Sequence, residues 1–311
     1  MKIVFLDDNS IGTDIDLSGF ESLGEVVRYG SSKLEEVPER VKDADVVIIN
    51  KMEINERTIG TAEKLKLVCV TATGTNNLDK EFLAKRNIAW RNVAGYSTEC
   101  VAQHTFALLF YLLEKMPYYD NYVKSEKYVN DAMFTHFANH FHELCGMTWG
   151  IIGLGTIGRR VADLAKAFGC HVIYYSTSGN HTEDGYERVD FDTLLKTSDI
   201  VSVHAPLTEQ TEQLMNAAAF SKMKNSAIFI NVGRGPIVVE ADLADALEQG
   251  EIAAAGLDVL SVEPMREDNP LRCIKDSEKL VITPHIAWAA VETRKRLMDI
   301  ILQQVREFFE V

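Results

Sequence analysis

A handful of short segments carry the residues that could do chemistry. One arginine stands between glycines in Asn231-Val232-Gly233-Arg234-Gly235-Pro236. Acids occur in Leu257-Asp258-Val259 and, a little later, in Glu263-Pro264. A histidine follows proline in Thr283-Pro284-His285-Ile286-Ala287-Trp288, and another opens His204-Ala205-Pro206-Leu207-Thr208. Each segment follows a short apolar run of the kind that forms a buried strand. Taken singly they fit a surface arginine, a loop acid and a histidine satisfied in the core. Taken together they bring a guanidinium, a carboxylate and an imidazole to the edge of one sheet. That set suits reduction of a 2-oxo acid. A guanidinium grips a carboxylate and polarises a carbonyl with a planar fork that lysine lacks. An imidazole donates a proton near neutral pH. A carboxylate hydrogen-bonded to the imidazole fixes its tautomer and favours the proton-donating form.

The element that must position a cofactor beside them is a glycine-rich turn. Residues 149–152 read as an apolar strand and run into Gly153-Leu154-Gly155-Thr156-Ile157-Gly158. A helix follows, with Val161, Leu164, Ala165 and Phe168 at helical spacing and Gly169 to end it. A second apolar strand leads to Ser176. Strand, Gly-x-Gly-x-x-Gly, helix and strand is the arrangement that cradles a dinucleotide pyrophosphate. Gly153 permits the tight turn, Gly155 lets the backbone approach the phosphates, and Gly158 lets helix and strand pack closely. Ser176 stands where an acid normally binds the adenosine ribose, and Thr177 and Ser178 follow. No carboxylate is there to repel a 2′-phosphate and no arginine to bind one; His181 is the nearest cation. NAD against NADP stays open.

Strand-like runs alternate with helical ones along the whole chain, which implies parallel sheets covered on both faces. In the first segment the runs are 3–6, 46–49, 67–70 and 88–90, with helices over 34–42, 55–66 and 79–86. Two loops follow strand ends there: Asn50-Lys51-Met52, and Thr71-Ala72-Thr73-Gly74-Thr75-Asn76-Asn77. Gly74 either lets backbone N–H groups face an anion such as a carboxylate or belongs to a plain turn before the helix at 79. A buried helix, capped by Ser97 and running to about Lys115, bridges two domains, with His104 packed inside it. In the second domain the glycine-turn strands are followed by strands over 200–203, 227–231, 253–258 and 280–283, with helices over 192–197, 216–222 and 240–249. His204 therefore follows a third strand and Arg234 a fourth. From Pro117 to Phe141 an insert rich in aromatics belongs to neither repeat. It either wraps the second domain or forms a dimer interface, since interface cores favour aromatics; a homodimer is expected.

Composition removes several classes. The net charge of −14 argues against binding a phosphate backbone, which needs a basic face. The five cysteines are scattered without a Cys-x-x-Cys pair, which speaks against structural zinc and for a reducing compartment. His136, His140 and His142 keep no regular spacing, so no metal is assigned. The opening run Met1–Leu6 is too brief for a secretory signal, and no apolar run reaches membrane-spanning length. A cytoplasmic protein that binds neither nucleic acid nor membrane is expected.

Over essentially its whole length the chain resembles the D-isomer-specific 2-hydroxyacid dehydrogenases. The resemblance rests on Gly153–Gly158, on His204-Ala205-Pro206-Leu207-Thr208-Glu209-Gln210-Thr211, on Asn231–Gly235, on Gly256-Leu257-Asp258-Val259 with Glu263-Pro264, and on Thr283-Pro284-His285. It implies an α/β fold of two domains. A Rossmann dinucleotide-binding domain would span 98–287, and a discontinuous flavodoxin-like substrate domain 1–97 with 288–311. The tail, with Leu297, Ile300, Ile301, Val305 and Phe308 at helical spacing, is similar to the family's closing helix, which packs back on the first domain. Two crossovers then form a hinge, and closure of the cleft excludes water. By resemblance Arg234 binds substrate, Glu263 supports His285, and His285 is the acid/base. The cofactor set it implies is Gly153, Gly155, Thr156, Ile157, Gly158, Ser176, His204, Ala205, Pro206, Thr211, Val232, Gly233, Asp258 and His285, with Asp258 at the nicotinamide end. The substrate set is Asn50, Lys51, Thr73, Gly74, Thr75, Arg234 and Trp288, the Gly74 and Thr75 amides holding the carboxylate.

Within the family, the 71–77 segment, Gly95-Tyr96-Ser97 and His285-Ile286-Ala287-Trp288 resemble the glycerate dehydrogenase (hydroxypyruvate reductase) branch. Glu263 separates the chain from formate dehydrogenases, which pair the histidine with glutamine. Ser176, Met147 and Leu260-Ser261 depart from the usual pattern. The expectation is a nicotinamide-dependent dehydrogenase of a small 2-oxo acid. The alternative is a catalytically idle, cofactor-dependent partner platform like the family's corepressors.

Overall fold

The computed structural model describes residues 1–179 and 184–310; His181, the cation noted above, lies outside them. The chain divides into two compact units, Met1–Ser97 with Ala289–Val311, and Thr98–Trp288.

The first unit is built on five parallel strands: β1 (Lys2–Phe5), β2 (Glu25–Arg28), β3 (Val46–Ile49), β4 (Leu67–Val70) and β5 (Ala89–Arg91). Their order, β2-β1-β3-β4-β5, is that of flavodoxin-like sheets. Every residue of β3 and β4 is buried, as the uninterrupted apolar runs of a sheet covered on both faces require. Strand β2 was not expected. Its Glu25 and Arg28 are exposed and only Val26 and Val27 turn partly inward, so an edge strand with charged ends gives no apolar run to read. The expected helices over 34–42 and 55–66 shrink to single turns, Val37–Arg40 and Glu56–Ile59. The second is closed by a capping box of Asn55 with Thr58 and stops at Gly60. The C-terminal helix Val291–Phe309 buries Leu297, Met298, Ile301 and Val305. It is tied down by Arg294, 2.6 Å from Asp14, and by Arg296 and Gln304, which donate to the carbonyls of Tyr96 and Asn92.

The second unit carries seven parallel strands: β6 (Thr148–Ile152), β7 (His171–Tyr175), β8 (Glu187–Arg188), β9 (Ile200–Val203), β10 (Ile228–Asn231), β11 (Ala254–Leu257) and β12 (Leu280–Ile282). The order β12-β11-β10-β9-β6-β7-β8 is the doubly wound nucleotide-binding order with one strand added at its end. Strand β8 escaped the sequence reading because it is two exposed charged residues. It moves the count by one, so His204 follows the fourth strand of this sheet and Arg234 the fifth. Alternate residues of the strands feed two cores. Phe229 packs with the helices of one face, while Ile228 and Ile230 pack with helix Thr98–Leu113 on the other. That helix buries eight of its residues and belongs to the second unit. It stops at Leu113, and Lys115 turns left-handed at φ 53°, short of the expected end.

The aromatic insert folds as helix Met116–Lys124 and the turn Tyr128–Asn130. The Tyr122 and His136 rings stack 3.8 Å apart, and the Tyr118 hydroxyl lies 2.7 Å from His136 Nε2. The same segment leaves Val129, Phe134 and Phe137 more than three-quarters exposed. Among the described residues no helix is long and apolar enough to cross a membrane.

Candidate active site

The glycine turn sits where the second sheet reverses its order. Strand β6 lies between β7 and β9, and such switch points bind ligands in doubly wound sheets. At Gly153 the backbone takes φ +91°, and a Cβ there would stand 2.8 Å from Ala205 Cα, beyond β9. Only glycine meets both demands. A Cβ at Gly158 would strike the Gly153 carbonyl oxygen at 2.3 Å. Gly155, in contrast, has no described atom within 4 Å of its Cβ position. It precedes helix Thr156–Ala167, whose N-terminus has no side-chain cap, so its first N–H groups suit an anion.

His204 follows β9. Its Nε2 is 3.0 Å from Ser202 Oγ, which accepts the Trp149 indole N–H at 2.8 Å. Its Nδ1 is buried without a partner among the described residues, and burial pushes the ring down to about 3, so it is neutral. An uncapped helix end, an open glycine and an unanswered buried ring nitrogen suit a dinucleotide. Thr211 and Val232 are enclosed. Thr211 Oγ1 closes its own turn by accepting from the Thr208 N–H and donating to the Pro206 carbonyl. The Gly233 N–H is held by Asn231 Oδ1 at 3.0 Å. Ser176 is buried at the end of β7. The expectation that no arginine lies near that turn is corrected. Pairing of β8 with β7 brings Arg188 Nη2 to 2.7 Å from the Gly179 carbonyl.

The acid/base candidates occupy the ends of three neighbouring strands. In register Asn231 faces Leu257, and Leu257 faces Ile282. Arg234, Asp258 and His285 follow within three residues of these positions, on strands that sit about 4.8 Å apart. The Arg234 turn is pressed against the segment leading to Glu263, because a Cβ on Gly235 would lie 1.9 Å from the Leu260 carbonyl. Glu263 then spans two duties. One oxygen accepts the Leu260 N–H at 3.0 Å and the other lies 2.8 Å from His285 Nδ1. Both side chains keep about a third of their surface exposed. His285 adopts φ +54°, which is unfavourable for any residue but glycine. The conformation is held by Asp258, whose carbonyl accepts the His285 N–H at 2.9 Å. The Asp258 carboxylate, fully buried, takes the Ile286 and Ala287 N–H groups at 2.8 Å and the Thr283 hydroxyl at 2.6 Å. Trp288 packs against the core of the second unit.

In the first unit, Asn50 and Lys51 follow β3, and Thr73–Thr75 follow β4. Thr73 Oγ1 donates to the Val93 carbonyl at 2.9 Å, and the Thr73 carbonyl accepts from Asn92 at 2.7 Å. Among the described residues of this unit, the Gly74 and Thr75 N–H groups find no acceptor.

Three supporting residues were not legible as such. Asp7, which directly follows the opening apolar run, accepts the N–H groups of Asn50, Lys51 and Met52 at 2.7, 2.8 and 3.1 Å. Burial pushes its carboxyl up while those donors pull it down. Asn77 donates to the carbonyls of Asn50 and Met52. His104 Nε2 lies 2.9 Å from Thr283 Oγ1 and 3.5 Å from Asp258. Burial pushes its pKa down and Asp258 partly offsets this. A histidine on the apolar face of a helix was the only signal.

Residues 106–287 match the model of the D-isomer specific 2-hydroxyacid dehydrogenase NAD binding domain, more than half of the chain. The chain belongs to this family. The dehydrogenase is 38% identical to a hydroxypyruvate reductase of Blautia hydrogenotrophica, covering 100% of this chain and 97% of that one. It is 36% identical to a glycerate dehydrogenase of Methylorubrum extorquens, covering 99% and 96%. Among solved structures, the TT0316 protein of Thermus thermophilus superposes with a TM-score of 0.88 at 29% identity, covering 100% and 97%. A D-lactate dehydrogenase from Aquifex aeolicus, complexed with NAD and lactic acid, superposes with 0.84 at 26% identity, covering 99% and 95%. The dehydrogenase is thus an α/β oxidoreductase whose second unit is its NAD-binding domain.

Proposed function

We propose that this dehydrogenase reduces a small 2-oxo acid, hydroxypyruvate before glyoxylate or pyruvate, and so forms D-glycerate. The observation that carries the reading is the Glu263–His285 pair at 2.8 Å, at the same sheet edge as the Arg234 turn. The names of the relatives 36–38% identical over nearly their whole length support the substrate. His285 gives its proton to the carbonyl oxygen. Glu263 keeps Nδ1 hydrogen-bonded and so aims the other ring nitrogen at the substrate. Arg234 grips the carboxylate and polarises the carbonyl. The Gly74 and Thr75 amides of the first unit take the carboxylate, with Asn50, Lys51 and Thr73 as further substrate contacts of that unit and Trp288 as one of the second. The nicotinamide cofactor, when bound, supplies the hydride. Gly153–Gly158 and the 204–206 and 232–233 turns hold it. The chain works as a homodimer in the cytoplasm, with five free thiols and with Phe134 and Phe137 covered by the second copy.

The test is oxidation of NADH and of NADPH with hydroxypyruvate, glyoxylate and pyruvate. Turnover fastest on hydroxypyruvate supports the assignment. No turnover on any of the three removes it in favour of a binding platform. The cofactor that works better answers the question raised at Ser176. Sedimentation at micromolar concentration giving a monomer mass would remove the dimer.

A further inference from the structure

Asp7 and Asn77 lie outside every set of residues assigned above, yet they hold the loop that carries Asn50 and Lys51 from both sides. The carboxylate of Asp7, which follows β1, receives all three successive N–H groups of Asn50, Lys51 and Met52. The amide of Asn77 donates to the carbonyls of Asn50 at 3.2 Å and Met52 at 2.8 Å. The connection continues in the backbone: Ile54 N–H donates to the Asn77 carbonyl and Asp79 N–H to the Ile54 carbonyl, both at 2.8 Å. The 50–52 and 73–77 loops are therefore tied to each other. Two consequences follow. The backbone of 50–52 has no donor left for a ligand, so this loop reaches a substrate only through the Asn50 and Lys51 side chains. The 73–75 loop is the reverse, with the Gly74 and Thr75 N–H groups unengaged among the described residues of the unit. An ammonium on one clamped loop and two open amides on the loop bonded to it are groups that recognise a carboxylate.

We propose that Asp7 and Asn77 are positioning residues for substrate, which fix the Lys51 side chain in register with the Gly74–Thr75 amides. The inference rests on the reading of Asn50, Lys51 and 73–75 as substrate contacts. Neither residue touches substrate. Asp7 acts by collecting donors, a task that asparagine performs only in part because its amide NH₂ opposes an N–H group. Asn77 acts by donating, a task that aspartate cannot perform at all.

Steady-state kinetics with hydroxypyruvate and NADH, on the full-length Asp7→Asn, Asn77→Asp, Asn77→Ser and Lys51→Ala proteins, tests this. The expected result is a KM for hydroxypyruvate raised about tenfold in Asp7→Asn and Asn77→Asp, with kcat and the KM for NADH within about twofold of the parent. Asn77→Ser, which keeps a donor, should fall between. A general loss of packing would lower kcat and weaken both substrates together, and that pattern overturns the proposal. So does an unchanged KM in the Asp7 and Asn77 variants. If Lys51→Ala still raises KM in that case, the loop remains a substrate contact and only the clamp is wrong. If Lys51→Ala is also silent, the reading of the loop falls as well. Should Asp7→Asn not fold, the Asn77 pair decides alone, because its side chain is only half-buried.

Discussion

Both units anchor a loop at the carboxyl edge of a parallel sheet by the same device, a carboxylate that gathers backbone N–H groups. Asp7 does so for residues 50–52 and Asp258 for residues 283–287. The two differ in depth and in what they hold. Asp258 is about 1% exposed and has His104 of helix Thr98–Leu113 beside it. Asp7 is half-buried, and its donors are all from one loop. The deep anchor holds a residue in left-handed backbone, His285, the proposed acid/base. The shallow one holds the loop that carries the exposed Lys51.

The largest expected effect tests whether the deep anchor holds a catalytic group at all. His285→Ala should lower turnover by about 10²–10⁴, the usual range for a positioned acid, with thermal stability unchanged. Intact turnover would leave Asp258 anchoring nothing of consequence. Next is the anchor itself. Asp258→Ala leaves three donors, the Ala287 N–H among them buried, without their acceptor and should cost about 3–5 kcal/mol in urea unfolding. Asp7→Ala should cost only about 1–2 kcal/mol, since water can reach its loop. Equal losses would dissolve the comparison. Arg234→Lys should lower kcat/KM roughly tenfold to a hundredfold, because a point charge cannot replace the fork.

The last effect, a slope rather than a single loss, concerns pH. His104 flanks Asp258 and its pKa is lowered by burial. The unfolded chain therefore binds a proton more readily than the folded one. Stability is complete above the ordinary histidine value and falls as pH drops through it, by up to about 1.4 kcal/mol per pH unit. His204, held at about 3, adds a slope of the same sign. Urea midpoints at successive pH values should show the decline, and His104→Gln should make it shallower. A midpoint that rises on acidification would contradict the burial of both rings.

Much of this was legible because it depends on local pattern. Runs such as Val46–Ile49 and Ile200–Val203 can only be strands of a two-faced sheet, and the glycine turn announces itself by spacing. What escaped was short and charged. Glu25–Arg28 and Glu187–Arg188 become strands only because a neighbouring strand pairs with them, and with β8 comes Arg188 at the Gly179 carbonyl.

The sequence by itself determined the family, the two parallel sheets and the residue types able to transfer a proton and grip a carboxylate. Those follow from periodicity and from side-chain chemistry, which need no third dimension. Only the tertiary structure decided that Asp7 and Asn77 clamp one loop, that Asp258 with His104 clamps another, and that Glu263 reaches His285. Such roles are made by hydrogen bonds across 22 to 179 positions of chain. No local pattern records which acid will face which amide once distant segments pack.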